Sequence, residues 1–401
     1  MKKIHYAWVI CIACLWLYLC NMGLCSNIFT IYLPFLKAEG LSDSMGSTIL
    51  SVRCLFSFLA TFFVGIYYRR FSLRTGILLA SLFGAVSPLV FCAAGSNALI
   101  YYLGAALAGI AYGFGCIYPA ALLLSNWFHA RMGLAVGISS AGSGITTMAF
   151  SPLFSSIALR FSLQTAFLAQ AAFMLLSAAA VFFVVRDTPQ EKSMTAYGDR
   201  ADAQPTVQQG TSQPLPPLML GLLGLMMLLN GGAGQAFSGH LAILATTSGY
   251  STELAASIVS LFGLTLTLSK LAAGGIIDRI GTRKCSILLL SLFLAGCLLV
   301  LGMNGTDAFW CFAASALMGM GASVYNVGPP LWAGDLSAPD QYAATLKWLQ
   351  IFYNLGGIVF SMVPGLIADH TAEYKSSYLL FAAMMLTSLL ILLWAYRQRR
   401  K

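Results

Sequence analysis

Charge is scarce in this chain, and carboxylates are the scarcer sign. Asp and Glu together number 13 in 401 residues, and none falls deep in an apolar stretch. Only four His are present, well separated in sequence, so no metal-ligand spacing exists. No nucleophile–base constellation appears, and no polar segment is long enough for a second globular domain. An enzyme and a resident cofactor are therefore not expected. A cleavable leader is also missing: the first apolar stretch is too long for a signal-peptide core, and no small-residue cleavage site ends it.

What the chain has instead is hydrophobic length. Apolar residues make up 59% of it. They gather into twelve stretches of about 20 residues or longer, roughly 7–36, 45–68, 75–95, 98–125, 133–159, 165–185, 217–245, 253–277, 285–304, 308–333, 344–369 and 376–396. Such a stretch crosses a ~30 Å hydrocarbon layer as a helix. The expected fold is an all-α membrane protein of twelve transmembrane helices in two pseudo-symmetric six-helix bundles, spanning 1–185 and 217–401. Between them 186–216 reads as a polar, flexible cytoplasmic linker ending in Pro214-Leu-Pro-Pro217.

The net charge of +9 follows topology rather than nucleic-acid binding. With both termini in the cytoplasm, 16 Lys and Arg lie inside, 3 outside (Lys37, Arg160, Lys375) and 3 within spans (Arg53, Lys270, Lys347). The expected place is a cell membrane, of the bacterial inner-membrane kind, with the chain working as a monomer in the lipid bilayer. The ten Cys all sit in or at the ends of apolar stretches; Cys11 and Cys14 have redox spacing but no polar company, so they read as small packing residues.

The halves repeat at an offset of 209. Asn21 falls on Asn230, Gly23 on Gly232, Gly40 on Gly249, Gly65 on Gly274, Arg70 on Arg279 and Arg74 on Arg283. Shared membrane composition explains matched Leu and Ala, but not matched Gly, Asn and Arg.

After the eighth stretch the chain reads Gly274-Gly-Ile-Ile-Asp278-Arg279-Ile-Gly281-Thr-Arg283-Lys284. This resembles the G-x-x-x-D-R-x-G-R/K signature of the major facilitator superfamily, with Gly65 to Arg74 at the matching place in the first half. Trp127-Phe128-His-Ala-Arg131 and the Gly-rich run to Gly144 resemble the branch of monocarboxylate carriers and oxalate/formate exchangers; Gly239-His240-Leu241 fits that branch more loosely. The resemblance implies a central cavity lined by helices 1, 4, 7 and 10, and alternating access by rocking. The Gly residues at 104, 109, 113, 115, 319 and 321 suit close backbone approach or bending in helices 4 and 10.

A charge near the bilayer centre is costly and needs a reason. Here the deep charges are Arg53 and Lys270, both positive, and they point to an anionic solute. In the resembled branch an Arg often stands at the place of Lys270 and is implicated in holding a carboxylate. Lys cannot form a bidentate fork. The Asp that precedes that cation by one turn in the monocarboxylate carriers is Leu266 here. The alternative for Lys270 is a snorkelling residue near the cytoplasmic end, and for Arg53 a residue paired with carbonyls or with Asp43. Counted from their matching glycines, the two cations differ in depth by ~12 Å. His240 reads either as a proton carrier or, with no acidic partner, as a neutral hydrogen-bonding residue. Asn27, Tyr118, Tyr325 and Asn326 fall on the implied cavity helices, and Lys347 reads as snorkelling.

The first-half signature carries Arg69 where the second half has Asp278, and the same offset sets Arg131 on Asp340. The expected cytoplasmic gate therefore pairs Arg69 with Asp340 and Asp278 with Arg131, beside Gly274 and Arg279. The reading that results is a secondary transporter for a small organic anion, a mono- or dicarboxylate. An exporter of amphipathic drugs and a non-transporting membrane sensor are the alternatives. The sequence leaves solute, coupling ion and direction open.

Overall fold

Backbone that meets no water must satisfy its own N–H and C=O groups, and helix does this locally. The computed structural model describes residues 5–32, 35–36, 43–95, 97–198, 215–360, 363–364, 367 and 374–399. Unit 1, Met1–Val207, contains α1 (Tyr6–Asn27), α2 (Asp43–Arg70), α3 (Leu73–Cys92), α4 (Ala98–Trp127), α5 (Met132–Arg160) and α6 (Leu163–Val184). Unit 2, Gln208–Lys401, contains α7 (Pro217–Thr247), α8 (Thr252–Ile280), α9 (Thr282–Leu299), α10 (Ala308–Leu336), α11 (Tyr342–Phe360) and α12 (Lys375–Gln398). Among the described residues, eleven helices contain a segment long and apolar enough to cross a membrane. The other is α11, whose expected span beyond Phe360 falls mostly outside the described residues, as do Lys37, Gly40 and most of 199–216. Large apolar side chains such as Leu99, Phe161 and Leu176 are more than 70% exposed, which hydrocarbon tolerates and water does not.

Missing side chains let helices touch backbone to backbone. In unit 1 a Cβ at Gly109 would strike the Arg53 carbonyl, so α2 lies directly on α4. In unit 2 a Cβ at Gly231 would strike the Tyr353 carbonyl, so α7 lies on α11.

The first apolar stretch is not one uniform helix. It is α-helical to Leu17, widens to a π-helix over Tyr18–Asn27, and ends in a 3-10 turn over Ile28–Ile31. A second π segment, Thr146–Phe150, lies within α5. The two meet where Gly23 makes room for Thr146, whose hydroxyl donates to the Leu19 carbonyl at 2.9 Å and to its own helix at Gly142, 3.2 Å. A side chain that inserts into a helical ladder is a recognised cause of local widening.

Two helices break. α4 breaks at Cys116 (φ −115°, ψ −101°) and α10 at Ser323. In α4 the cause is legible: Pro119 has no N–H to give the Gly115 carbonyl four residues earlier. The Asn21 amide from α1 takes over, donating to that carbonyl at 2.8 Å.

Residues 186–198 depart from the flexible linker expected of them. They fold back on the end of unit 1 where α4 finishes and α5 begins. Tyr197 exchanges backbone bonds with the turn after α4: its N–H donates to Trp127 at 2.8 Å, and its carbonyl accepts from His129 and Ala130 at 3.0 Å each. The Trp127 indole N–H donates to the Arg186 carbonyl at 2.9 Å. A capping box of Thr188 and Glu191 closes the intervening turn.

Candidate substrate site

Lys270 is 1% exposed, so protein covers its whole side chain and the snorkelling alternative does not hold. Its neighbour Ser269 anchors α8 to the break in α10. The Ser269 and Ser323 hydroxyls lie 2.9 Å apart, and both donate to the Met320 carbonyl, at 2.8 and 2.9 Å. From that break the lower half of α10, Val324–Leu336, starts afresh. The start of a helix carries partial positive charge from its unpaired N–H groups. A buried ammonium on α8 and a helix start on α10 are thus tied together within unit 2. Both favour negative charge, in the way broken helices serve anionic groups in transporters.

The other cavity candidates are placed as follows. Tyr325 is packed into unit 2, between Phe293 and Gly234, with its hydroxyl 3.4 Å from the Met385 sulfur. Asn326 is buried in the first turn of the lower α10 segment. Tyr118 is buried and stacks on Tyr68 at 5.9 Å. Asn27 ends the π segment of α1 and donates to Thr147 at 3.4 Å. His240 holds Nδ1 2.7 Å from the Ala236 carbonyl and stacks on Tyr374. A carbonyl can only accept, so Nδ1 carries the hydrogen. Lys347 lies over the Trp348 ring. Arg53 points into a small cavity inside unit 1.

At the helix ends, Arg69, Arg131, Asp278, Arg279 and Asp340 are exposed, while Gly274 is buried. Arg131 starts α5 in the left-handed region (φ 58°, ψ 32°), an uncommon place for a residue with a side chain. The turns of the two signatures use different chemistry at matching positions. Gly281 takes φ 85°, which favours glycine, whereas Ser72 stays extended and caps α3 with its hydroxyl.

Sequence reasoning missed Asp187. Its carboxylate accepts from the Leu73 and Arg74 N–H groups at 2.9 and 2.8 Å, closing the start of α3. Burial pushes this carboxyl up from its ordinary value, against the pull of those two donors. In unit 2 a carboxylate also lies near the matching helix ends, but it comes from Asp335 on α10, held by the Tyr396 hydroxyl at 2.7 Å. The offset of 209 offered a signal, since it sets Asp187 on Tyr396 and Asn126 on Asp335.

The profile of the Major Facilitator Superfamily matches residues 14–254 and 223–401. Among curated relatives, the MFS transporter asaE of Aspergillus flavus is 24% identical over 390 residues, covering 95% of this chain and 84% of the relative. Monocarboxylate transporter 12 of Xenopus laevis is 20% identical over 406 residues, covering 95% and 86%. Among solved structures, a bacterial homologue of the iron transporter ferroportin superposes with a TM-score of 0.75 at 12% identity, covering 98% of this chain and all of that one; this likeness concerns the fold alone. Helices, half-repeat, signatures and profile agree: the chain is a multi-pass membrane protein of the major facilitator superfamily, a family of transporters and not of enzymes.

Proposed function

We propose that this transporter carries a small organic anion, a mono- or dicarboxylate, by alternating access, and that Lys270 holds the carboxylate. The observation that carries the reading is the burial of Lys270 on α8, next in sequence to the serine that bonds to the α10 break. Keeping an ammonium from water is costly, and a bound anion would offset part of that cost. Similarity to proteins named monocarboxylate transporters supports the substrate class. The single point charge of Lys favours tolerance among carboxylates over tight matching of one planar group.

In this reading the cytoplasmic side closes through Arg69 with Asp340 and Asp278 with Arg131. Exposed pairs of this kind are worth only ~1 kcal/mol each, enough to bias a two-state body without locking it. Both termini lie in the cytoplasm, supported by the 16-to-3 distribution of Lys and Arg. The fungal and animal relatives lend no support to a bacterial inner membrane in particular.

The test is counterflow in proteoliposomes loaded with mono- or dicarboxylates, with organic cations and neutral amphipathic compounds as the contrast. The reading expects exchange of at least one carboxylate. Exchange of cations or amphipathic compounds alone overturns it in favour of the exporter alternative.

A further inference from the structure

A small, partly open cavity lies inside unit 1, bounded by α1, α2, α3, α4 and α6. It has room for about one water-sized occupant. Most of its lining is apolar, and most of its polar groups are already bonded. The Tyr32 hydroxyl donates to Gln170 Oε1 at 2.9 Å, Gln170 Nε2 donates to the Leu24 carbonyl at 3.1 Å, and the Ser87 hydroxyl donates to the Gly104 carbonyl at 2.8 Å.

Arg53 is the exception. One terminal nitrogen donates to the Ser26 hydroxyl and the other lies 3.2 Å from the Cys54 sulfur. Its Nε is buried and has no acceptor. Among the described residues no carboxylate is bonded to it. A guanidinium cannot shed its proton, so the charge stays. Arg53 as a whole is half-buried, but its Nε is not exposed, and a buried donor left without an acceptor is costly.

A water molecule would accept from Nε–H but leave the charge uncompensated. A carboxylate compensates the charge but brings at least three heavy atoms into a space for one. A halide is monatomic and negative, so it meets the charge with a single atom. Only one of the two Gln170 amide hydrogens is spent on Leu24, so a second donor lines the same cavity.

We propose that this cavity is a halide site of the chloride class, with Arg53 Nε as its principal donor. The bound ion neutralises the guanidinium and holds α2 against α1 and α6. This assignment rests on Arg53 and the cavity, independently of the role given to Lys270.

The experiment compares thermal unfolding of the purified full chain in sodium chloride, bromide, acetate and gluconate at equal ionic strength. A saturable rise in Tm is expected with chloride and bromide and not with gluconate. Arg53→Gln should lose the rise and Lys270→Met should keep it, which separates this site from the cargo site. Crystals soaked in bromide provide a measurement on the unaltered chain, with an anomalous peak expected beside Arg53 Nε. Absence of that peak, a halide rise unchanged in Arg53→Gln, or a rise with acetate but not halide would each overturn the assignment.

Discussion

Asn21 donates its side-chain amide to the Gly115 carbonyl at 2.8 Å, the carbonyl that Pro119 deprives of a helical partner. Its repeat mate Asn230 is equally buried, yet neither end of its amide has a partner. Residues that match in sequence therefore do opposite energetic work. Asn21→Leu strands the Gly115 carbonyl and should cost ~1–3 kcal/mol, whereas Asn230→Leu removes two unmet groups and should be neutral or stabilising. Thermal unfolding of the two variants side by side in detergent checks this; equal losses would contradict it.

The Ser269 and Ser323 hydroxyls share the Met320 carbonyl. Each Ser→Ala change should cost about 1 kcal/mol. The double change should cost less than the sum, because both bonds end on one acceptor. A double-mutant cycle on unfolding measures the coupling, and strict additivity would show that the two serines act separately.

The gate predicts rescue. Arg69→Asp and Asp340→Arg should each reduce transport several-fold, and the combined reversal should restore it toward the starting level. Initial rates of uptake in proteoliposomes decide the matter. A double variant no better than either single one removes this pairing.

Asp187 makes the stability of the α3 start in unit 1 depend on pH, with the loss on the alkaline side. Burial sets its folded pKa above the ordinary 3.8. The folded state therefore binds this proton more tightly than the unfolded chain does, so the group favours the fold most below about 3.8 and loses that contribution as pH rises through its folded value. Asp187→Asn keeps an acceptor for the α3 start but cannot titrate. Tm followed against pH should lose this component in the variant, and superimposable profiles would contradict the assignment.

The helices were legible because a bilayer demands length and hydrophobicity together, and the half-repeat because Asn21, Gly23 and Arg74 recur in register. Lys270 stood out as a lone deep cation. The tie between its neighbour Ser269 and the α10 break did not, because Ser269 and Ser323 look like ordinary small residues until the helices are side by side. The π segment of α1 was hidden for the same reason, since it meets Thr146, more than a hundred residues away. Residues 186–198 have a linker's composition. Their order comes from Trp127 and the backbone of Tyr197, and polarity alone does not disclose such partners.

The most direct test of the central claim replaces Lys270 with Met, a side chain of similar length without the charge. Met keeps the length and apolar packing of this buried side chain, so the variant is expected to fold, and thermal unfolding checks that it does. Its counterflow of carboxylates should fall by about 100-fold or more, as expected when a cargo anion loses a buried ion partner. Carboxylate exchange at parental rates in this folded variant would show that Lys270 does not hold the cargo.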